Sequence, residues 1–97
     1  MKILLVCAAG LSTSMLTKNM KKFAQEGDVV DARPASDLEN IIPSYDVVLL
    51  GPQIRFRFDE ITEIAGRFGK PADVIDMRTY GTMDGKAAMA QAAALLN

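Results

Sequence analysis

Apolar residues fall in four short runs that alternate with stretches of helical periodicity. The run at 3–6 is continuous, the run at 46–50 is continuous after Asp46, and those at 29–32 and 72–76 are weaker. A continuous apolar run of this length is typical of a strand buried on both faces of a parallel sheet. The pattern therefore predicts four strands, each followed by a helical segment.

The first helix is predicted from Ser12, and Gly27 is expected to end it. Apolar residues recur within it at i, i+4, i+7 and i+8, the spacing of one helix face. We expect this stripe to lie in the core, and its members are Leu16, Met20, Phe23 and Ala24.

The remaining helices are indicated by capping residues and by spacing. Ser36, followed three residues later by Glu39, has the form of a capping box and predicts a short helix. Apolar residues at helical spacing predict another helix over 58–68, and Asp84 is expected to cap an alanine-rich last helix. The segment 77–82 is predicted to be a loop.

Alternation of strands and helices predicts the α/β class, with one domain over residues 1–97. Right-handed crossovers and helical cover on both faces give a three-layer αβα arrangement, in which a four-stranded parallel sheet has the order 2-1-3-4. Ligands of such sheets bind beyond the carboxyl ends of the strands, where the strand order reverses. That crevice lies between the segments 7–12 and 51–55, and the loop after the fourth strand opens on the same edge.

Composition narrows the function by exclusion. The chain has 97 residues and a net charge of −1, which does not favour nucleic acid as a partner. No apolar run reaches the length of a membrane-spanning helix, so we expect a cytoplasmic monomer without direct membrane insertion. Histidine is absent, which removes the commonest general base and zinc ligand, and we expect neither a metal nor a cofactor.

The only cysteine, Cys7, lies where the first strand ends and the first helix is about to begin. Amide groups at a helix start, together with the helix dipole, favour an anion. Gly10 lets the backbone turn inward, and three hydroxyl groups follow it, those of Ser12, Thr13 and Ser14. The same field favours the thiolate of Cys7, which indicates a phosphocysteine. Spacing alone leaves a second interpretation open, in which Cys7 is a buried structural residue and the serines cap the helix.

Three chemistries are compatible with such a loop. A hydrolase resembling the low-molecular-weight tyrosine phosphatases would carry an arginine clamp six residues after the cysteine, but that position is Thr13 and the first arginine is Arg33. A phosphoryl carrier has no need of that clamp, since its phosphoryl group should resist water. The third possibility is a non-enzymatic anion-binding or redox-sensing module in which Cys7 is oxidised.

Three sequence blocks resemble one family, the enzyme IIB component of the bacterial sugar phosphotransferase system, of the lactose/cellobiose (chitobiose, β-glucoside) type. The blocks are I-L-L-V-C-A-A-G-L-S-T-S-M-L, D-V-V-L-L-G-P-Q-I and V-I-D-M-R-T-Y-G-T-M-D-G. The resemblance covers essentially the whole chain and implies a fold similar to the low-molecular-weight tyrosine phosphatases. It implies that Cys7 is phosphorylated by a phosphohistidine on enzyme IIA. The group would then pass to a sugar bound by membrane enzyme IIC, expected to be a β-linked disaccharide such as cellobiose, chitobiose or lactose.

Carried onto this chain, the resemblance places the phosphate-binding residues directly after Cys7. They are Ala8, Ala9, Gly10, Leu11, Ser12, Thr13, Ser14 and Met15. Gln53 and Tyr80 are candidates for a second wall of the crevice. The alternative for Gln53 is a plain strand-ending turn, which Gly51-Pro52 signals without it, and the alternative for Tyr80 is a cover for the sheet end.

The chain departs from the family pattern after G-P-Q-I, where an apolar or aromatic residue is usual and Arg55-Phe56-Arg57-Phe58 stands here. Arg55 and Arg57 attract an acidic partner surface or the incoming phosphate, or else they form a solvated helix start. Asp76 is expected to make a structural hydrogen bond, because a carboxylate would repel a phosphate.

Overall fold

The computed structural model describes residues 1–8 and 11–97, with the backbone alone at residues 11–13. The strands are β1 (Lys2–Cys7), β2 (Val29–Pro34), β3 (Val47–Leu50) and β4 (Ala72–Val74). The helices are α1 (Leu11–Lys21), α2 (Leu38–Ile41), α3 (Phe58–Arg67), α4 (Met77–Gly81) and α5 (Gly85–Leu95). Two 3₁₀ segments, Ile42–Ser44 and Pro52–Arg57, follow α2 and β3 respectively.

All four strands are parallel, and their order in the sheet is β2-β1-β3-β4. The predicted topology is therefore confirmed. The register aligns Cys7 with Pro34, Val6 with Leu50, and Leu50 with Val74, so the strands end close to one line. The segments that leave them all emerge at this carboxyl edge of the sheet.

The two central strands are buried on both faces, as their continuous apolar runs predict. Successive side chains of a strand point to opposite faces, so β1 and β3 contribute to two separate cores. One core joins Ile3, Leu5, Val47 and Leu49 to α1 and α5, and the other joins Leu4, Val6, Val48 and Leu50 to α2 and α3. Each fully buried leucine or isoleucine contributes about 2 kcal/mol, which makes this pair of strands the main source of stability.

Helix α1 is fixed against the start of α5 by an unusually close contact. Gly85 lies directly on the backbone of Asn19 and Met20, where a Cβ atom would overlap it. The side-chain amide of Asn19 also donates a hydrogen bond of 2.8 Å to the carbonyl oxygen of Met83. These contacts set the position of the helix that follows Cys7.

Several local predictions are wrong at the ends of helices. The capping box does not form, because the amide of Ser36 bonds to the carbonyl oxygen of Pro34 in a turn and α2 begins only after Asp37, whose φ is 58°. Helix α1 ends at Lys21, well before Gly27. Phe23 therefore lies beyond the helix and is 51% exposed, whereas Leu16 and Met20 are buried as expected.

Replacing Gly85 with alanine should lower the free energy of unfolding by about 3 kcal/mol, because the new methyl group must displace the α1 backbone. Gly66→Ala is the matched control, since no atom lies near its Cβ position in α3 and alanine favours a helix by about 0.5–1 kcal/mol. Urea denaturation of both variants measures the difference. Equal stabilities of the two variants would contradict the close contact.

Candidate active site

Cys7 is the last residue of β1, so the sheet itself delivers its thiol to the carboxyl edge. The side chain is only 1% exposed, and its Sγ–H group donates a hydrogen bond of 3.7 Å to the backbone carbonyl oxygen of Arg33. The next residue, Ala8, is exposed. The predicted position at a strand end is thus found, and the thiol contacts the end of the neighbouring strand β2.

The predicted phosphate loop, residues 8–15, begins directly after β1 and includes the start of α1. Ala9 and Gly10 are outside the described residues, and α1 begins at Leu11. The first turn of α1 contains no acidic residue that would neutralise the positive end of the helix dipole. Ser14 and Met15 follow on the helix with exposed side chains. The start of α1 has the electrostatic character that an anion requires.

The opposite side of the edge is formed by the 3₁₀ segment Pro52–Arg57. It is fixed beside β1 by a hydrogen bond of 2.9 Å from the amide of Gly51 to the carbonyl oxygen of Val6. Pro52 and Ile54 are buried beneath it, whereas Gln53 is exposed. The end of β3 is therefore held next to the residue before Cys7.

Gln53 and Tyr80 line the same surface cavity, which has a volume of 320 Å³. Its other lining residues are Pro52, Arg55, Met77 and Gly81. The cavity joins the segments that leave β3 and β4, so the structure brings the two predicted wall residues together at the carboxyl edge. The structure also supports both interpretations of Tyr80, which lines this cavity and belongs to the core that contains Leu16 and Met20.

Segment 77–82, predicted to be a loop, contains the short helix α4 instead. Asp76 caps it, and its carboxylate accepts hydrogen bonds of 2.9 Å from the amide of Arg78 and 3.2 Å from that of Thr79. The structural hydrogen bond predicted for Asp76 is confirmed. A helix of five residues is too short for a periodic pattern, and the only sequence signal was the capping aspartate itself.

Sequence reasoning missed Gln91, which braces the connection between β4 and α4 from helix α5. Its amide nitrogen donates to the carbonyl oxygen of Val74 at 2.7 Å and to the Asp73 carboxylate at 3.1 Å. Its amide oxygen accepts from the backbone of Asp76 at 3.2 Å. A glutamine in an alanine-rich helix gave no signal of this role, since it depends on a contact 15 or more residues away.

The arginines at this edge fall into two kinds. Arg57 is bound to the Glu60 carboxylate at 2.7 Å and to the carbonyl oxygen of Ala35 at 3.0 Å, and the hydrogen bond to Glu60 raises the pKa of the guanidinium. Arg57 thus fastens the 3₁₀ segment to the turn after β2. Arg55 and Arg78 are exposed and form no ion pair among the residues the structure describes.

These features define a class of protein, a three-layer α/β domain in which a central strand carries a cysteine to the start of a helix. A family model for the lactose/cellobiose-specific IIB subunit of the phosphotransferase system (PTS) matches residues 2–91. The chain belongs to this family. Among residues 1–8 and 11–97, none of the helices has the length and apolar character needed to cross a bilayer.

Two relatives and one solved structure illustrate the match. The chain is 41% identical to a galactose-specific PTS EIIB component and 40% identical to a cellobiose-specific one, both from Lactococcus lactis. Each alignment covers 98% of this chain and 95% of the relative. The lactose-specific IIB domain of Streptococcus pneumoniae superimposes with a TM-score of 0.87 over 100% of this chain and 98% of that domain, at 18% identity, so it shows the shared fold.

Removing the cap of α4 should loosen the wall that carries Met77 and Tyr80. We expect Asp76→Ala to lower the free energy of unfolding by about 1 kcal/mol, because two backbone amides lose their acceptor. Asp76→Asn retains a capping oxygen and should lose much less. Thermal unfolding of the two variants checks this, and an equal loss in both would show that the negative charge matters rather than the cap.

The hydroxyl of Tyr80 is buried and has no hydrogen-bond partner among the described residues. Tyr80→Phe should therefore leave stability unchanged or raise it by up to about 1 kcal/mol. Tyr45→Phe is the matched control, since the hydroxyl of Tyr45 donates to the Asp31 carboxylate at 2.6 Å and its loss should destabilise by about 2 kcal/mol. Urea denaturation separates the two. A loss in Tyr80→Phe as large as in the control would show that its hydroxyl is bonded in solution.

Proposed function

We propose that this chain is the phosphoryl carrier of a sugar phosphotransferase system, with Cys7 as the covalent acceptor. Cys7 receives the group from a phosphohistidine on enzyme IIA and passes it to a sugar bound by membrane enzyme IIC. The observation that carries the proposal is the position of Cys7, in a chain of this family, at the end of a central strand and four residues before the first residue of α1.

In the first step the thiolate of Cys7 attacks phosphorus in line with the nitrogen–phosphorus bond of the donor. A sulfur–phosphorus bond forms while that bond breaks, and the imidazole leaves with the electron pair. The amides at the start of α1 and the hydroxyls of Ser12, Thr13 and Ser14 stabilise the negative charge on the phosphoryl oxygens. Residues 8–15 act together as the phosphate-binding loop.

The hydrogen bond between Cys7 and the Arg33 carbonyl oxygen gives this step a conformational requirement. The thiol must leave that carbonyl and turn toward the loop, since an acceptor buried against β2 is not open to a donor.

In the second step a sugar hydroxyl attacks the phosphocysteine and gives its proton to a base of the partner. An oxygen–phosphorus bond forms while the sulfur–phosphorus bond breaks, and the sulfur leaves as thiolate. The relatives named for galactose and for cellobiose are almost equally similar to this chain, so similarity does not single out one sugar. A β-linked disaccharide remains the proposed class, with the choice made by enzyme IIC. The chain acts in the cytoplasm against the membrane permease, and none of its proposed steps uses a metal or a cofactor.

A hydrolase resembling the low-molecular-weight tyrosine phosphatases is disfavoured by Thr13, which stands where the arginine clamp would be. Without a guanidinium to bind two phosphoryl oxygens, attack by water loses its main stabilising contact. With no histidine in the chain, the imidazole of the transfer chemistry comes from the partner. The absence of the arginine clamp and of histidine favours a phosphoryl group that stays on Cys7 until it is transferred to another molecule.

Incubation with a phosphorylated enzyme IIA should add the mass of one phosphoryl group to the intact protein. The adduct should be absent in Cys7→Ser, because the serine hydroxyl is far less acidic than a thiol and does not replace the thiolate. Mass spectrometry at neutral pH measures both. An unchanged mass with an active donor would overturn the carrier, and rapid phosphate release from p-nitrophenyl phosphate would favour the hydrolase. An oxidised Cys7 without a phosphoryl adduct would favour the redox-sensing module.

A further inference from the structure

The three most exposed large apolar side chains of the described residues are Phe56, Met77 and Met15, which are 79%, 68% and 55% exposed. Each lies on a segment that leaves the carboxyl edge of the sheet. Met15 follows β1 on α1, Phe56 follows β3 on the 3₁₀ segment, and Met77 follows β4 as the first residue of α4. We call these three residues the apolar rim. All three therefore belong to one edge of the sheet, and exposed apolar patches mark interaction surfaces in soluble proteins.

The exposure of Phe56 and Met77 is imposed by the fold. On one side of Phe56 the segment is held by Ile54, whose side chain is buried. On the other side it is held by Arg57, which bonds to Glu60 and to the Ala35 carbonyl oxygen. Met77 begins a helix that Asp76 caps. A side chain held outward by a fixed backbone loses little conformational freedom on binding, which is a property of residues that anchor interfaces.

The cavity of 320 Å³ is lined by Met77 on one side and by Pro52, Gln53 and Arg55 on the other, and Phe56 follows directly on that second segment. Its lining is mainly apolar, from Pro52, Met77 and Tyr80, with Gln53 and Arg55 at its polar side. A protruding aromatic side chain next to an apolar hollow forms a surface that a partner can match with a hollow and a protruding side chain of its own.

Two exposed arginines lie beside the apolar rim, while the exposed carboxylate of Asp59 lies farther along, in the first turn of α3. Arg55 borders the cavity, Arg78 follows Met77, and neither forms an ion pair within the described part of the chain, whereas Arg57 and Arg67 each bind a glutamate. The nearby carboxylates of Asp76 and Glu60 are already engaged, one by backbone amides and the other by Arg57. The complementary surface therefore has an apolar centre with carboxylates at its edge.

We infer that the apolar rim, with Arg55 and Arg78, is the docking surface for the phosphohistidine-bearing donor protein. The inference rests on the proposed function, in which the donor imidazole must come into contact with Cys7. Direct transfer requires the donor to cover the surface around the cysteine loop and to exclude water from it. A second copy of this chain is disfavoured, since it would bring the same unpaired arginines together and would close the site.

The test is the rate of phosphoryl transfer from enzyme IIA to Cys7, measured at several donor concentrations by quenched flow. Phe56→Ser and Arg55→Glu should each raise the donor KM by about tenfold, while the rate at saturating donor changes by less than about twofold. Arg55→Glu should also weaken the dependence of KM on salt, because an attractive charge pair is lost. Both positions are exposed, and thermal unfolding of each variant confirms that it folds.

Phe23→Ser and Lys22→Glu are the matched controls. Phe23 is 51% exposed but lines a different cavity with Met1 and Asp28, near the amino ends of β1 and β2. Both controls should leave the donor KM unchanged.

An unchanged KM in Phe56→Ser and Arg55→Glu, with the wild-type protein phosphorylated normally, would overturn this inference and leave the carrier function intact. An effect confined to the later transfer to sugar would overturn it in favour of docking by the membrane component. If the wild-type protein binds sugar or inorganic phosphate and Phe56→Ser loses that binding, the inference is also overturned, since the cavity would then hold a small molecule. If the wild-type protein accepts no phosphoryl group, the proposed function and this inference fail together.

Discussion

The burial of β1 on both faces is the constraint on which the rest of the molecule depends. This strand pairs with β2 on one side and β3 on the other, and residues 3–7 are almost completely inaccessible to solvent. Its side chains belong alternately to the two cores, so both helical layers are built on it. Because all strands run in the same direction, the segments that leave them converge on one edge, and the position of Cys7 is fixed by the strand itself rather than by a flexible loop.

The carboxyl edge combines a buried reactive group with an exposed apolar surface. The thiol of Cys7 contacts the backbone at Arg33, while the neighbouring segments hold Phe56 and Met77 outward. Hydrogen bonds from Gly51 to Val6 and from Ile75 to Leu50 join these segments to the sheet, and Gln91 braces the exit of β4. In the proposed function this division has a purpose, since a phosphocysteine that awaits a sugar must be shielded from water but must still be recognised by a partner.

The absence of side chains that promote hydrolysis is consistent with the proposed role as a phosphoryl carrier. The chain contains no histidine, and Thr13 occupies the position of a phosphatase clamp. A cysteine that accepts and passes on a phosphoryl group needs stabilisation of the charge on the phosphoryl oxygens, which a helix start supplies. It gains nothing from side chains that accelerate hydrolysis. The acid–base groups can therefore reside in the partner proteins, and the carrier needs surfaces that bring those partners to Cys7.

The strands, their parallel order and the place of Cys7 were determined by the sequence alone, because continuous apolar runs and the handedness of crossovers are strong physical signals. The sequence placed Gln53 and Tyr80 at the same edge of the sheet but did not predict the cavity that they line together. Helix α4 and the hydrogen bonds of Gln91 were not predicted. The Ser36 capping box was wrong because a turn back to Pro34 competed with it. The position of helix α1 depends on the contact of Gly85 with Asn19, a residue 66 positions earlier in the chain. Only the tertiary structure decided these features, because each depends on which distant backbone groups meet, and a local pattern carries no information about that.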